Sequence, residues 1–180
     1  MLITPEIELR RADPADAQAL ADAMVRNREY LRPWEPYRGE DYYTAQAQAA
    51  RIAEPGNAMW LLFDNAAGGR VVGRAALQGI VLGPLCSASL GYWIDSEYGG
   101  RGLISATVEE LCRAARDEFG LHRLDAGTLT DNKASQRVLT KCGFVEYGMA
   151  PAYLHIDGQW RDHVLFQRLL HDGPPAHIPK

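Results

Sequence analysis

The 180-residue sequence has no run of about 18 apolar residues, the length a membrane-spanning helix needs. Its opening residues, MLITPEIELRR, lack the apolar core of a signal peptide. Cysteine is scarce: Cys86, Cys112 and Cys142 are an odd set without metal-type spacing, which reads as a reduced, cytosolic chain. Positive charge is not in surplus. Lys and Arg number 19 against 23 Asp and Glu, a net charge of −4, so the basic stripe of a nucleic-acid binder is missing. There is no internal repeat and no linker-like boundary, so residues 1–172 read as a single domain followed by a proline-rich tail, 173–180. What remains is ordinary globular material, 47% hydrophobic and 23% charged, enough for a packed core.

Two phosphate-binding strings are also missing. A P-loop needs Gly, four residues, Gly, Lys and then Ser or Thr, and no segment fits. A dinucleotide fingerprint is met poorly by Gly100, Gly102 and Ser105. Yet residues 97–120, EYGGRGLISATVEELCRAARDEFG, place three glycines around an arginine just before a helical stripe. Leu103, Ile104, Val108, Leu111, Cys112 and Ala115 recur at the spacing of one helix face. The glycines therefore sit at a helix N-terminus, where free N–H groups and the helix dipole favour an anion. A tight strand-to-helix turn would use the same glycines. The segment by itself leaves both readings open.

Along the chain, residues 7–12 read as a strand. Asp13 caps a helix over 13–27, with Pro14 at its first position and Ala17, Leu20 and Met24 on its apolar face. Residues 28–41 form a loop in which Pro33 and Pro36 bracket Trp34. A second helix covers 42–54, stopped by Pro55 and Gly56. Strands follow at 58–64 and 70–80 as a hairpin, then at 88–95, leading into the glycine segment. A strand at 122–129 and a helix at 132–142 precede two closing strands, 144–156 and 159–170, which turn at Asp157 and Gly158. This order predicts an α/β architecture, a mixed sheet with helices on both faces. The strand–helix–strand unit across 88–129 should be parallel and right-handed.

About thirty residues beyond the glycines lies DNKASQRVLTKCGF, 131–144. Together with GYWIDSEYGGRGL, 91–103, it resembles the GNAT superfamily of N-acetyltransferases. More narrowly it is similar to the RimJ/RimL group, which acetylates N-termini of ribosomal proteins. YLHIDGQWRDHVLF, 153–166, resembles that group's closing strands, and NREYLRPWEP, 27–36, is a looser echo. The resemblance implies the acyl-CoA N-acyltransferase fold with a mostly antiparallel sheet, acetyl-CoA as co-substrate, and no metal. It implies that the backbone of Gly99, Gly100, Arg101, Gly102, Leu103 and Ile104 binds the pyrophosphate. Tyr92, Trp93 and Ile94 would pair with the pantetheine arm as an added strand does; Trp93 also reads as a plain core aromatic. Two positions depart from the pattern. Gly99 replaces the usual Gln or Arg, and Ile104 the small residue of the broad superfamily; binding through backbone N–H groups tolerates both.

Acetyl transfer needs a neutral amine, a donor for the developing oxyanion and a proton for the departing thiolate. On family grounds the donor is a backbone N–H near Trp93–Ile94, splayed from its neighbouring strand. Many GNAT enzymes supply a tyrosine from the helix of the second motif, and the matching residue here is Leu139. Ser135, one turn earlier on the same face, is implied as the hydrogen-bond donor to the sulfur; it also fits a serine bonded back to its own helix. Asn132 fits either pantetheine binding or a helix cap. An α-amine of pKa about 7.7 is roughly a third neutral near pH 7.4, a lysine of pKa about 10.4 roughly a thousandth. An Nα-acetyltransferase therefore needs little help from a base. Glu35 is the candidate catalytic carboxylate, with Asp95 behind it, and both also read as solvated surface. His122, His155 and His163 show no ligand spacing, so no metal is expected. Trp34 and Tyr153 are expected to wall the acceptor site.

The leading reading is an acetyl-CoA-dependent N-acetyltransferase acting on a protein N-terminal amine by direct transfer in a ternary complex. A small-molecule amine acetyltransferase and a catalytically silent acyl-CoA sensor are the alternatives. The expected partner is the amine acceptor, neither nucleic acid nor membrane. The chain is expected in the cytoplasm as a monomer or homodimer.

Overall fold

Apolar runs give seven strands among the described residues: β1 Ile7–Arg11, β2 Ala58–Asp64, β3 Arg70–Val81, β4 Ser87–Ile94, β5 Arg123–Leu129, β6 Val145–Ile156 and β7 Gln159–Leu169. The helices are α1 Ala17–Arg26, α2 Arg28–Leu31, α3 Ala45–Ile52, α4 Leu103–Asp117 and α5 Lys133–Lys141. The computed structural model describes residues 1–175, so most of the tail read at 173–180 lies outside the described residues. The strands form one sheet in the order β1-β2-β3-β4-β5-β7-β6. Every neighbouring pair is antiparallel except β4–β5, because the α4 crossover returns the chain in the direction it left.

Both faces of the sheet are covered, which is why every residue of β2 is buried. On one face α1 contributes Leu20 and Met24 to a cluster with Leu61, Phe63 and Trp93, and Ile52 of α3 packs against it. On the other, Leu103, Val108 and Leu111 of α4 and Leu139 of α5 meet Leu62, Leu77 and Leu124. The helical stripe expected after the glycines is buried throughout, Leu103 to Ala115.

Three local details differ from the expected elements. Asp13 caps a 3-10 turn at Pro14–Asp16, and α1 begins only at Ala17. The helix expected from residue 42 starts at Ala45, because Thr44 stays extended (ψ 151°) and takes the Ala47 amide on its side chain. Inside the expected loop 28–41, Arg28–Leu31 form a single helical turn that stops ahead of Pro33.

The seam between β4 and β5 positions everything that follows. The two strands pair only at Ser87–Arg123, Ala88–Leu124 and Ser89–Asp125. Beyond Ser89, β4 continues along β3 to Ile94 while β5 continues along β7 to Leu129. From Leu90 onward, β4 therefore has a neighbour on one side and an open edge on the other.

Candidate active site

A cavity of about 820 Å³ opens at this seam. It receives the end of β4, the glycine loop, the first turns of α4 and α5, and Trp34 and Glu35 from the segment after α2. The seam thus brings together every candidate residue named from the sequence except Tyr153 and Asp95.

The glycine loop is shaped by conformation rather than by side chains. Gly100 and Gly102 have φ of 76° and 78°, a region open to glycine and strained for other residues. A Cβ built on either would meet no protein atom within 4 Å, so the space above the loop is open. Among the described residues no backbone carbonyl accepts from the amides of Gly100, Arg101 or Gly102. No side chain caps α4, although Asn132 caps α5 and Thr44 caps α3. The 15-residue α4 thus presents its free N–H groups and positive dipole end to the cavity. These features fit a bound pyrophosphate. Beneath the loop, the Tyr98 hydroxyl donates to Asp64 at 2.5 Å. That bond holds the Asp64 carboxyl below its usual range and pushes the phenol up. It ties the loop to the β2–β3 hairpin.

Across the cavity, the Tyr92 hydroxyl lies 2.8 Å from Ser135 Oγ and donates to the Ser135 carbonyl at 3.3 Å. Burial pushes the Tyr92 phenol up to about 12, so it keeps its proton at physiological pH. Ser135 therefore meets a side chain from β4 rather than bonding back to its own helix. Asn132 accepts the Ser135 amide at 3.1 Å, so it caps α5 and fixes the turn that carries the hydroxyl. Leu139 is fully buried in the core. The sequence reading used Tyr92 only for its backbone. Nothing local tells that its phenol spans 43 residues to reach Ser135.

The acceptor end corrects two expectations. Tyr153 does not line the cavity; it is about half exposed and packs edge-on against His163, with ring centroids 5.2 Å apart. The cause is a register shift between Ala150 and Leu154, with Ala152 at φ 49°, which breaks the strand alternation that would have aimed Tyr153 inward. Leu154 and His163 stand on the wall instead. Asp95 is not a solvated base: it is buried, and accepts from Arg26 Nε at 3.0 Å and Asn27 Nδ2 at 3.2 Å. Burial alone would raise its pKa, but these donors outweigh it and the net shift is downward. Trp93 is a core aromatic, 5% exposed in the cluster beneath α1, and its backbone lies on the open edge of β4. Arg38, Arg51 and Arg74 on this wall were not anticipated. The available signal was Arg74 itself, a charge within the otherwise apolar run VVGRAAL.

A sequence model of the acetyltransferase (GNAT) domain matches residues 6–145. The chain belongs to the GNAT acetyltransferase family. This GNAT enzyme is 32% identical to the [ribosomal protein uS5]-alanine N-acetyltransferase of Escherichia coli, over 97% of its own length and 93% of the relative's. Its fold superposes on the ribosomal-protein-S5-alanine acetyltransferase of Vibrio fischeri with a TM-score of 0.91 at 28% identity, covering 97% and 98% of the two chains. Mycobacterium smegmatis RimJ, solved in complex with CoA-disulfide, follows at a TM-score of 0.81 and 26% identity, covering 91% and 81%.

Proposed function

We propose that this GNAT enzyme acetylates the α-amine of a protein N-terminus, with a ribosomal protein as the acceptor class, in a ternary complex with acetyl-CoA. One observation supports it above the others: the uncapped N-terminus of α4 and the Tyr92–Ser135 pair face a single cavity at the open edge of β4. The likeness to the uS5-alanine enzymes supports the choice of acceptor.

Acetyl-CoA supplies the acetyl thioester. In this reading the amides of the segment from Gly99 to Ile104 hold its pyrophosphate, and the open backbone edge at Tyr92, Trp93 and Ile94 aligns its arm. A backbone N–H near Trp93–Ile94 meets the charge that develops on the carbonyl oxygen, typically worth ~3 kcal/mol. As the new C–N bond forms and the C–S bond breaks, Ser135 Oγ donates to the departing sulfur. In this reading the Tyr92 proton turns from the Ser135 carbonyl to Ser135 Oγ, 2.8 Å away, which leaves the serine's own proton free for that task. The amine releases its proton to water or to Glu35, the carboxylate on the acceptor wall. Trp34 encloses the acceptor backbone beside it. The setting is the cytoplasm, where both reactants occur.

Thiol release from acetyl-CoA, measured with alanine-started peptides, spermidine and amino sugars side by side, tests the assignment. Peptides should turn over fastest, with mass spectrometry locating the acetyl group on the α-nitrogen. Turnover of the small amines with none of any peptide would overturn it.

A further inference from the structure

The cavity wall carries six Lys and Arg side chains among the described residues. Its basic side chains fall into two groups. Arg101 sits in the glycine loop, with Arg137 and Lys141 on α5; both the loop's helix and α5 pack on the same face of the sheet. Arg38, Arg51 and Arg74 belong to the opposite face. Arg74 of β3 stands directly across from Leu61 of β2 and Trp93 of β4. Cross-strand partners share a face, and both of those side chains lie in the cluster beneath α1 and α3. Arg38 and Arg51 each lie about 5 Å from the ring of Tyr42, which packs against that same cluster.

This second group is short of partners. Arg74 is 7% exposed, yet its Nε and Nη1 are buried with no hydrogen-bond partner among the described residues. The Nε atoms of Arg38 and Arg51 are also buried and unpaired. Glu35 is the one carboxylate on the cavity wall among the described residues, set against three guanidinium groups on the acceptor side. A buried guanidinium without an acceptor is costly, and its fork of N–H donors matches a carboxylate. The chain as a whole is acidic, at −4, so the local surplus is not a by-product of composition.

We propose that Arg74, with Arg38 and Arg51, forms a carboxylate subsite that selects acceptors bearing an acidic side chain close to the reacting amine. The inference rests on the N-terminal acetyltransferase reading and deepens it. Because Arg74 pairs in register with Trp93, one strand away from the open edge, the acid belongs near the start of the acceptor. At about 3.3 Å of extended peptide per residue, that means roughly positions two to four.

The test uses the intact enzyme, acetyl-CoA and two sets of alanine-started hexapeptides, identical except for Glu or Gln at position two, three or four. At one of these positions the Glu peptide should show a kcat/KM roughly 10-fold or more above its Gln counterpart, the scale of one hydrogen bond to a charged group. Most of the difference should lie in KM. Arg74→Gln, checked for folding by thermal melting and acetyl-CoA titration, should bring that ratio close to one. Arg38→Gln should reduce it independently, which covers the case in which the Arg74 variant does not fold. Equal turnover of Glu and Gln peptides at all three positions by the wild-type enzyme would overturn the subsite alone. No turnover of any peptide, with small amines acetylated, would overturn the acceptor assignment and the subsite with it.

Discussion

Replacing Ser135 with alanine removes one hydroxyl from the cavity and little else. Tyr92 loses its 2.8 Å contact with Oγ but keeps the Ser135 carbonyl at 3.3 Å, so the buried phenol is not orphaned. The Asn132 cap uses the Ser135 backbone amide and also survives. Stability should therefore fall by about 1 kcal/mol or less. Turnover should fall much further. A hydrogen bond to a charged sulfur is worth about 1.5–3 kcal/mol, and each 1.36 kcal/mol is about tenfold in rate, so kcat should drop about 10- to 100-fold. The acetyl-CoA dissociation constant should hardly move, because the contact strengthens only as the thiolate forms. Single-turnover thiol release isolates this step from product departure. Tyr92→Phe should cost less, since the serine keeps its proton, and the double variant should lose little more than Ser135→Ala alone, the pair acting as one unit. Full-rate acetylation by the alanine variant would refute the reasoning and leave Ser135 as a packing residue.

Gly102→Val should weaken acetyl-CoA binding in a calorimetric titration while the protein still folds; its positive φ costs the valine about 1–2 kcal/mol of stability, and unchanged affinity would remove the amide cradle. The rate with a peptide acceptor should rise with pH through about 7.7, the ordinary α-amine value, and then level off, because the neutral amine is the reactant. Tyr92, pushed up to about 12, keeps its proton across that range and adds no alkaline decline to the profile. Acid should destabilise the fold. Asp16, paired with Arg10, and Asp95, paired with Arg26 and Asn27, both titrate below their usual range when folded. Their contribution is complete above the unfolded value of about 3.9 and is lost as pH falls through the lower folded values. Melting temperatures between pH 2 and 6 should show this, with a shallower slope in Asp95→Asn; an unaltered slope would assign the effect to other carboxylates.

Features that depend on sequence neighbours were readable from the sequence. The α4 stripe from Leu103 to Ala115, the Asp13 cap and the Asp157–Gly158 turn all rest on spacing within one segment. Long-range features were less so. Tyr92 and Ser135 sit on separate elements, and only the parting of β4 from β5 turns their side chains toward a common space. Tyr153 was misplaced because a bulge, invisible to a period-two pattern, intervenes at Ala152. Asp95 read as surface because its partners, Arg26 and Asn27, come from the far end of α1.

The sheet is joined at its β4–β5 seam by three residue pairs, so its strand pairing is thinnest beside the candidate site. In the proposed reading, a pantetheine arm laid along the open edge would be a temporary thread between these two strands. Occupancy and robustness then become one quantity, since a ligand that binds only the folded chain adds about 2.7 kcal/mol at a hundredfold excess over its dissociation constant. A melting curve with saturating acetyl-CoA should therefore lie above one without it.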